Sequence, residues 1–390
     1  MNLLRRASTT KLLAVLTAIV VVALAAGIAF ASSGSGAVAP RRTLAEAIHH
    51  ALTGSPPQGV TARIAFTDHL VPSGSLTGQA ATSPLLSGAT GRLWAGDGRI
   101  RLELQSSAGD TEIGFDGHTL VVYDVSSNTA LELPVAGHPH ANSKTAHHAA
   151  PTVDQIARAL RRLSSHVSLS GAMAGDIGGQ PSYTVRVSPR HDGGLLGTLE
   201  LGWDANHGIP LKIAVYSLGD ANPVLSLRVT SISFGRVPAS DLQVSVPHGV
   251  KIVRIHAPAQ RSQTASAHAK PVTGAAAVAA VLPFRLAAPA SVVGVPRRAV
   301  RLVTVGKTPA ALVVYGRGLG AIVVLEQRVQ GTSHTSALSS LPRVSVNGAS
   351  GRELATALGT VIQFQRGGVS YTLFGSVPAV SAEAAARAIG

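Results

Sequence analysis

The densest set of chemically capable side chains is histidine. His138, His140, His147 and His148 fall within eleven positions. Imidazoles so spaced suit zinc or copper, or gain charge in mildly acidic surroundings. The surrounding Ala, Pro and Ser provide no framing strand or helix, so a solvated surface loop is the expected reading, with no metal site. His49 and His50 sit on a predicted helix and read as surface or lid residues.

Other chemistry fails on spacing. Val305-Gly306-Lys307-Thr308 ends like a phosphate loop, but Arg301 stands where the first glycine belongs, and Pro309 and a strand follow. Gly316-Arg317-Gly318-Leu319-Gly320 joins two predicted strands and reads as a hairpin. Val215-Tyr216-Ser217-Leu218-Gly219 lacks the first glycine of a nucleophile elbow. The 19 carboxylates are scattered, so no glycosidase pair stands out. No enzyme and no cofactor are expected.

Composition narrows the class further. Of 390 residues 45% are hydrophobic, which excludes a disordered chain and allows two cored domains. The net charge of +14 favours anionic surfaces, including a membrane. The arginines are scattered without interleaved aromatics, and export argues against nucleic acid. Cysteine is absent, which excludes disulfides, thiolate metal sites and a lipid-modified cysteine.

Export is read from the N-terminus. Arg5, Arg6 and Lys11 precede an apolar run from Leu12 to Phe30, and Ala29-Phe30-Ala31 fits a small-x-small cleavage site. The run is also long enough to span a bilayer, at roughly 20 residues. Two readings stay open: a signal cut at Ala31, or an uncleaved anchor over residues 12–30. Either leaves the remainder extracytoplasmic.

The elements that must position any site follow. Residues 32–42 form a small-residue tether. Thr43 and Glu46 make a capping box for a helix to about Leu52. From Val60 the period changes to two, and Arg99-Ile100-Arg101-Leu102-Glu103-Leu104-Gln105 is the clearest strand. It pairs through Gly96-Asp97-Gly98 with Arg92–Ala95, and a meander continues to Leu133. Pro151 opens an amphipathic helix carrying Val153, Ile156, Ala157, Leu160 and Leu163. Strands are then expected at 182–187, 197–203, 211–216, 224–234 and 242–246, with Pro247-His248-Gly249 closing the domain. Residues 257–281 read as an Ala/Ser/Gln-rich linker. A smaller module over 282–390 has strands at 300–305, 310–315, 321–327, 343–346, 360–366 and 369–373, and a helix over 381–389.

Three blocks carry a family resemblance. Phe115-Asp116-Gly117-His118-Thr119-Leu120-Val121-Val122-Tyr123-Asp124, Gln180-Pro181-Ser182-Tyr183-Thr184-Val185 and Trp203-Asp204-Ala205-Asn206-His207-Gly208-Ile209-Pro210-Leu211 occur in order. They resemble hairpins and strands of the LolA-like family, which holds lipoprotein carriers and the RseB/MucB-type regulators. The resemblance spans roughly Leu44 to Val250. It implies an α+β fold in which helices close an antiparallel half-barrel over residues 43–256, followed by a smaller α+β domain. It also implies an apolar cavity for a lipid or lipoprotein acyl chain. Alternating positions nominate Ile64, Phe66, Ile100, Leu102, Leu104, Leu199, Leu201 and Trp203 as its lining. Aromatics are only 4% of residues, which suits acyl chains. The expected function is a non-catalytic lipid carrier or sensor of the envelope. The alternative is an RseB-like regulator that binds an anti-sigma factor or other membrane-protein partner without transporting lipid.

Overall fold

A computed structural model describes residues 38–55, 57–72, 88–107, 109–135, 150–254, 272–305, 308–329 and 341–390. The apolar run, its cleavage site and the histidines from 138 to 148 lie outside the described residues.

The chain opens with α1 (Leu44–Thr53), whose capping box forms as its sequence requires: Glu46 N–H donates to Thr43 Oγ1 and Thr43 N–H to the Glu46 carboxylate. Six strands follow as a meander: β1 (Gly59–Asp68), β2 (Ala89–Gly96), β3 (Arg99–Ser106), β4 (Gly109–Phe115), β5 (Thr119–Asp124) and β6 (Thr129–Pro134). Helix α2 (Val153–Leu163) carries a second capping box, Thr152 with Gln155. Then come β7 (Val167–Leu169), β8 (Met173–Ile177), β9 (Gln180–Pro189), β10 (Leu196–Asp204), β11 (Pro210–Ser217), β12 (Leu225–Phe234) and β13 (Lys251–Arg254). These make one sheet of 13 strands in the order β13-β6-β5-β4-β3-β2-β1-β12-β11-β10-β9-β7, with β8 also on β9. Pairing is antiparallel except at β13, which runs parallel to β6.

Alternation explains the main core. Val60, Ala62 and Ile64 of β1 meet Ile100, Leu102 and Leu104 of β3 and Ile113 of β4 on one buried face. That core cluster contains no residue of α1 or α2. This core cluster is built from strands and the β10–β11 turn. The two helices pair with each other, and α1 packs through small alanines at the Tyr183–Ala205 end. The 242–246 segment is corrected: Ala239–Leu242 is a 3-10 turn, and no strand follows it directly. Pro247-His248-Gly249 leads into β13 instead of ending the unit.

The second sheet has eight strands in the order β14-β15-β16-β17-β21-β20-β19-β18. They are β14 (Ser291–Val292), β15 (Val295–Val305), β16 (Thr308–Tyr315), β17 (Ile322–Arg328), β18 (Arg343–Val346), β19 (Ala349–Thr356), β20 (Gly359–Arg366) and β21 (Val369–Gly375). Helix α4 (Ala379–Ile389) and the short α3 (Ala275–Ala279) cover its core. Val278, inside the expected linker, is fully buried there.

The two sheets touch through loops. The β9–β10 loop sends Leu195 N–H to Ser376 O and Oγ, at 3.1 and 2.9 Å, and Asp192 O accepts from Gly320 N–H at 2.8 Å. The Gly316–Gly320 hairpin thus serves contact between units. Gly194 sits at φ +61°, and a Cβ there would meet the Ser376 carbonyl and lie 2.7 Å from its side chain. Gly194→Val should therefore cost about 1–3 kcal/mol at this junction. Calorimetry should resolve separate unfolding of the two sheets; an unchanged transition would show that the loops do not couple them.

Candidate functional site

The nominated lining residues separate into two groups. Ile64, Ile100, Leu102 and Leu104 are only 2–3% exposed and belong to the packed core. Phe66, Leu199, Leu201 and Trp203 are half-buried. Ile64 and Leu102 do meet at one apolar recess, together with Leu93, Leu211, Leu227 and Val229. Leu199, Leu201 and Trp203 do not line it. Its cavity volume is about 20 Å³, room for about one water molecule. Pockets that hold drug-sized ligands run to roughly 300–1,000 Å³.

The most chemically dense cluster lies at the β10–β11 turn. The Asp204 and His207 side chains are both fully buried, with His207 Nδ1 2.5 Å from Asp204 Oδ2. The same carboxylate oxygen accepts the backbone N–H groups of Asn206 and His207, at 3.2 and 2.5 Å. A short acidic side chain bonding its own following backbone is what makes a tight Asx turn. The His207 ring packs on Phe234, with centroids 4.2 Å apart. Burial pushes the Asp204 carboxyl above the ordinary carboxylate range, against the pull of His207.

Helix α1 is seated on this turn. Gly208 has φ +69°, and a Cβ there would lie 2.5 Å from the Ala51 carbonyl oxygen and 2.8 Å from its Cα. Only glycine lets the helix come this close. His50 faces the same turn, its ring pushed down by burial. His49 instead contacts the Pro151 carbonyl through Nδ1, at 2.9 Å, tying α1 to the start of α2. The residues preceding α1 are held as well: Tyr183 donates to Pro40 O at 2.6 Å and packs against Trp203. Trp203 is thus a packing residue of the helix seat.

A second polar cluster surrounds Glu200, which is 4% exposed. Arg186 Nε lies 3.0 Å and Lys212 Nζ 2.5 Å from its carboxylate, and Tyr216 donates to it. Burial raises the Glu200 carboxyl, but the two cations prevail and hold it below the ordinary range. Among the described residues no group of three His, Asp or Glu is placed to hold a metal ion. No described helix is long and apolar enough to cross a membrane.

The Trp203-Asp204-Ala205-Asn206-His207-Gly208 block is legible as a motif, but nothing in it marks Asp204 and His207 as a pair. The Asp-x-x-His spacing ahead of glycine is the signal that points to the turn; its burial is tertiary and has no local signature.

No family model matches the chain, and no curated protein does. Solved structures give distant likenesses. MucB in complex with periplasmic MucA is 18% identical, covering 88% of this chain and 95% of that one, at a TM-score of 0.38. The Pseudomonas aeruginosa MucA/MucB complex is 19% identical, covering 88% and 94%, also at 0.38. An uncharacterized conserved protein from Thermus thermophilus is 10% identical, covering 54% and 98%, at 0.33. Likeness at this level establishes neither fold nor function for this chain.

Proposed function

We propose that this chain is an exported, non-catalytic envelope regulator that works by holding a membrane-protein partner, such as an anti-sigma factor, and not by carrying lipid. One observation carries the choice. Half of the face nominated for acyl chains is packed shut: Ile64, Ile100, Leu102 and Leu104 are at 2–3% exposure, and the recess that Ile64 and Leu102 line holds about 20 Å³. Each acyl CH₂ removed from water gains about 0.8 kcal/mol, and at these four residues nearly all that surface is already covered by protein. The motif resemblance to the LolA-like family, which includes the RseB/MucB-type regulators, together with the smaller second domain supports the partner reading, and the apolar run at residues 12–30 supports an address outside the cytoplasm. The fully buried Asp204–His207 pair supports a non-catalytic role, since no substrate reaches it.

The test is native mass spectrometry of the full chain purified from its own host's membranes. A one-to-one complex with a membrane protein, free of stoichiometric lipid, is the expected result. A stoichiometric acyl lipid in place of any protein would establish the carrier instead.

A further inference from the structure

Four neighbouring strands place cations against one another on an open sheet face. In the β1–β2 register Arg63 stands directly opposite Arg92. In the β11–β12 register Lys212 stands directly opposite Arg228. Arg228 is in turn opposite Ala65, one strand-period from Arg63 on the same face. Opposed side chains on neighbouring strands have Cβ atoms about 4.5–5.5 Å apart, and like charges so placed repel. The stripe spans three strand gaps, about 14 Å.

The stripe is neutralised at its Lys212 end, where Glu200 pairs with Lys212 and Arg186, which leaves Arg228, Arg63 and Arg92 as its uncompensated cations. At the Arg92 end, Glu103 lies opposite Arg92 in register but pairs with Arg101, which also reaches Glu112. Among the described residues no ion pair engages Arg63, Arg92 or Arg228, and all three are exposed. Their neighbours Thr61, Thr90, Ser231 and Ser233 are small, hydroxylated and exposed. Trp94, the nearby aromatic, is overlaid by the Arg101 guanidinium at 5.4 Å. The patch therefore gives a partner charge and hydrogen bonds, and nothing to bury in a bilayer.

We infer that this face of β11, β12, β1 and β2 docks an extended acidic segment of the partner protein. An extended chain presents alternate side chains about 6.8 Å apart, so two or three carboxylates of one segment can meet the stripe. The inference rests on the partner reading above and names the chemistry of that partner.

The experiment titrates the full chain into a fluorescein-labelled oligo-glutamate peptide and follows anisotropy at low and at physiological salt. The wild type should bind, more weakly as salt rises. Arg63→Gln/Arg228→Gln should weaken binding about tenfold, and Arg63→Lys/Arg228→Lys should retain most of it. Arg298→Gln/Arg366→Gln, which removes equal charge from exposed positions of the second sheet, should change little. Equal weakening by both glutamine pairs would reduce the effect to net charge and overturn the inference. So would a wild type that ignores the peptide, or one that uses these arginines for phosphatidylglycerol vesicles in preference to it. None of those failures touches the partner reading, which the lipid and complex measurement decides separately.

Discussion

Asp204→Ala should lower the unfolding free energy by about 3–5 kcal/mol at neutral pH, the usual consequence of removing one member of a buried pair. Three interactions end at the Asp204 Oδ2 atom: two backbone N–H groups and the His207 ring. Without it the buried His207 N–H and ring lose their partner where water does not reach, and the turn that seats α1 loses its brace. Asp204→Asn separates the two contributions. It keeps an oxygen for the turn and surrenders the charge, so it should cost less, about 1–2 kcal/mol. Urea unfolding measures both, and hydrogen exchange of α1 should rise in the alanine variant. An alanine variant as stable as the wild type would mean that the pair braces nothing.

Much of the strand order was legible, and for a simple reason. Where one face of a strand is buried and the other wet, as in Arg99–Ser106, the burial pattern and the sequence pattern are the same object. The failure at residues 242–246 shows the limit of that logic. Leu242-Gln243-Val244-Ser245-Val246 alternates, but Leu242 packs near Gly96 and Val244 against Gly114, with no ladder along the segment. Period two reports alternate burial, not hydrogen bonding. The parallel pairing of β13 with β6 joins segments more than a hundred residues apart, which no local pattern specifies.

The site was less legible than the fold. Helix amphipathicity was plain, but not what the apolar stripe would face. In α1 the buried residues are Ala45 and Ala47, too small to fill a barrel and suited to lying on backbone. The eight nominated lining positions were chosen by alternation, which finds buried faces and cannot tell a cavity from a packed core. The cation stripe was hidden differently: Arg63, Arg92, Lys212 and Arg228 are scattered along the chain and meet only through sheet register.

The last expected result concerns a carboxyl that alternation does expose. In β17 the buried positions Ile322 and Val324 are followed, two residues on, by Glu326, so the pattern puts an acid on the core face. It is fully buried, opposite Ala311 and Tyr371 in register, and the Ala287 N–H donates to its Oε2 at 2.9 Å. Oε1 has no hydrogen-bond partner among the described residues. Burial pushes the Glu326 carboxyl up to about 7; the nearby phenols of Tyr315 and Tyr371 are raised in turn, by burial first and then by this carboxyl. The unfolded chain releases this proton near pH 4.5, and the folded one only near 7, so the folded state holds the extra proton between them. The contribution of this proton to stability is thus fully present below about pH 4.5, falls as pH rises, and is lost once pH has passed through about 7. The difference amounts to about 3 kcal/mol, at 1.36 kcal/mol per unit. Glu326→Gln keeps an oxygen for Ala287 and has no proton to lose. Its stability relative to wild type should therefore climb by about 3 kcal/mol between about pH 4.5 and 8, read from urea unfolding across that range. A difference that stays flat with pH would show that the Glu326 carboxyl is not held protonated by its burial.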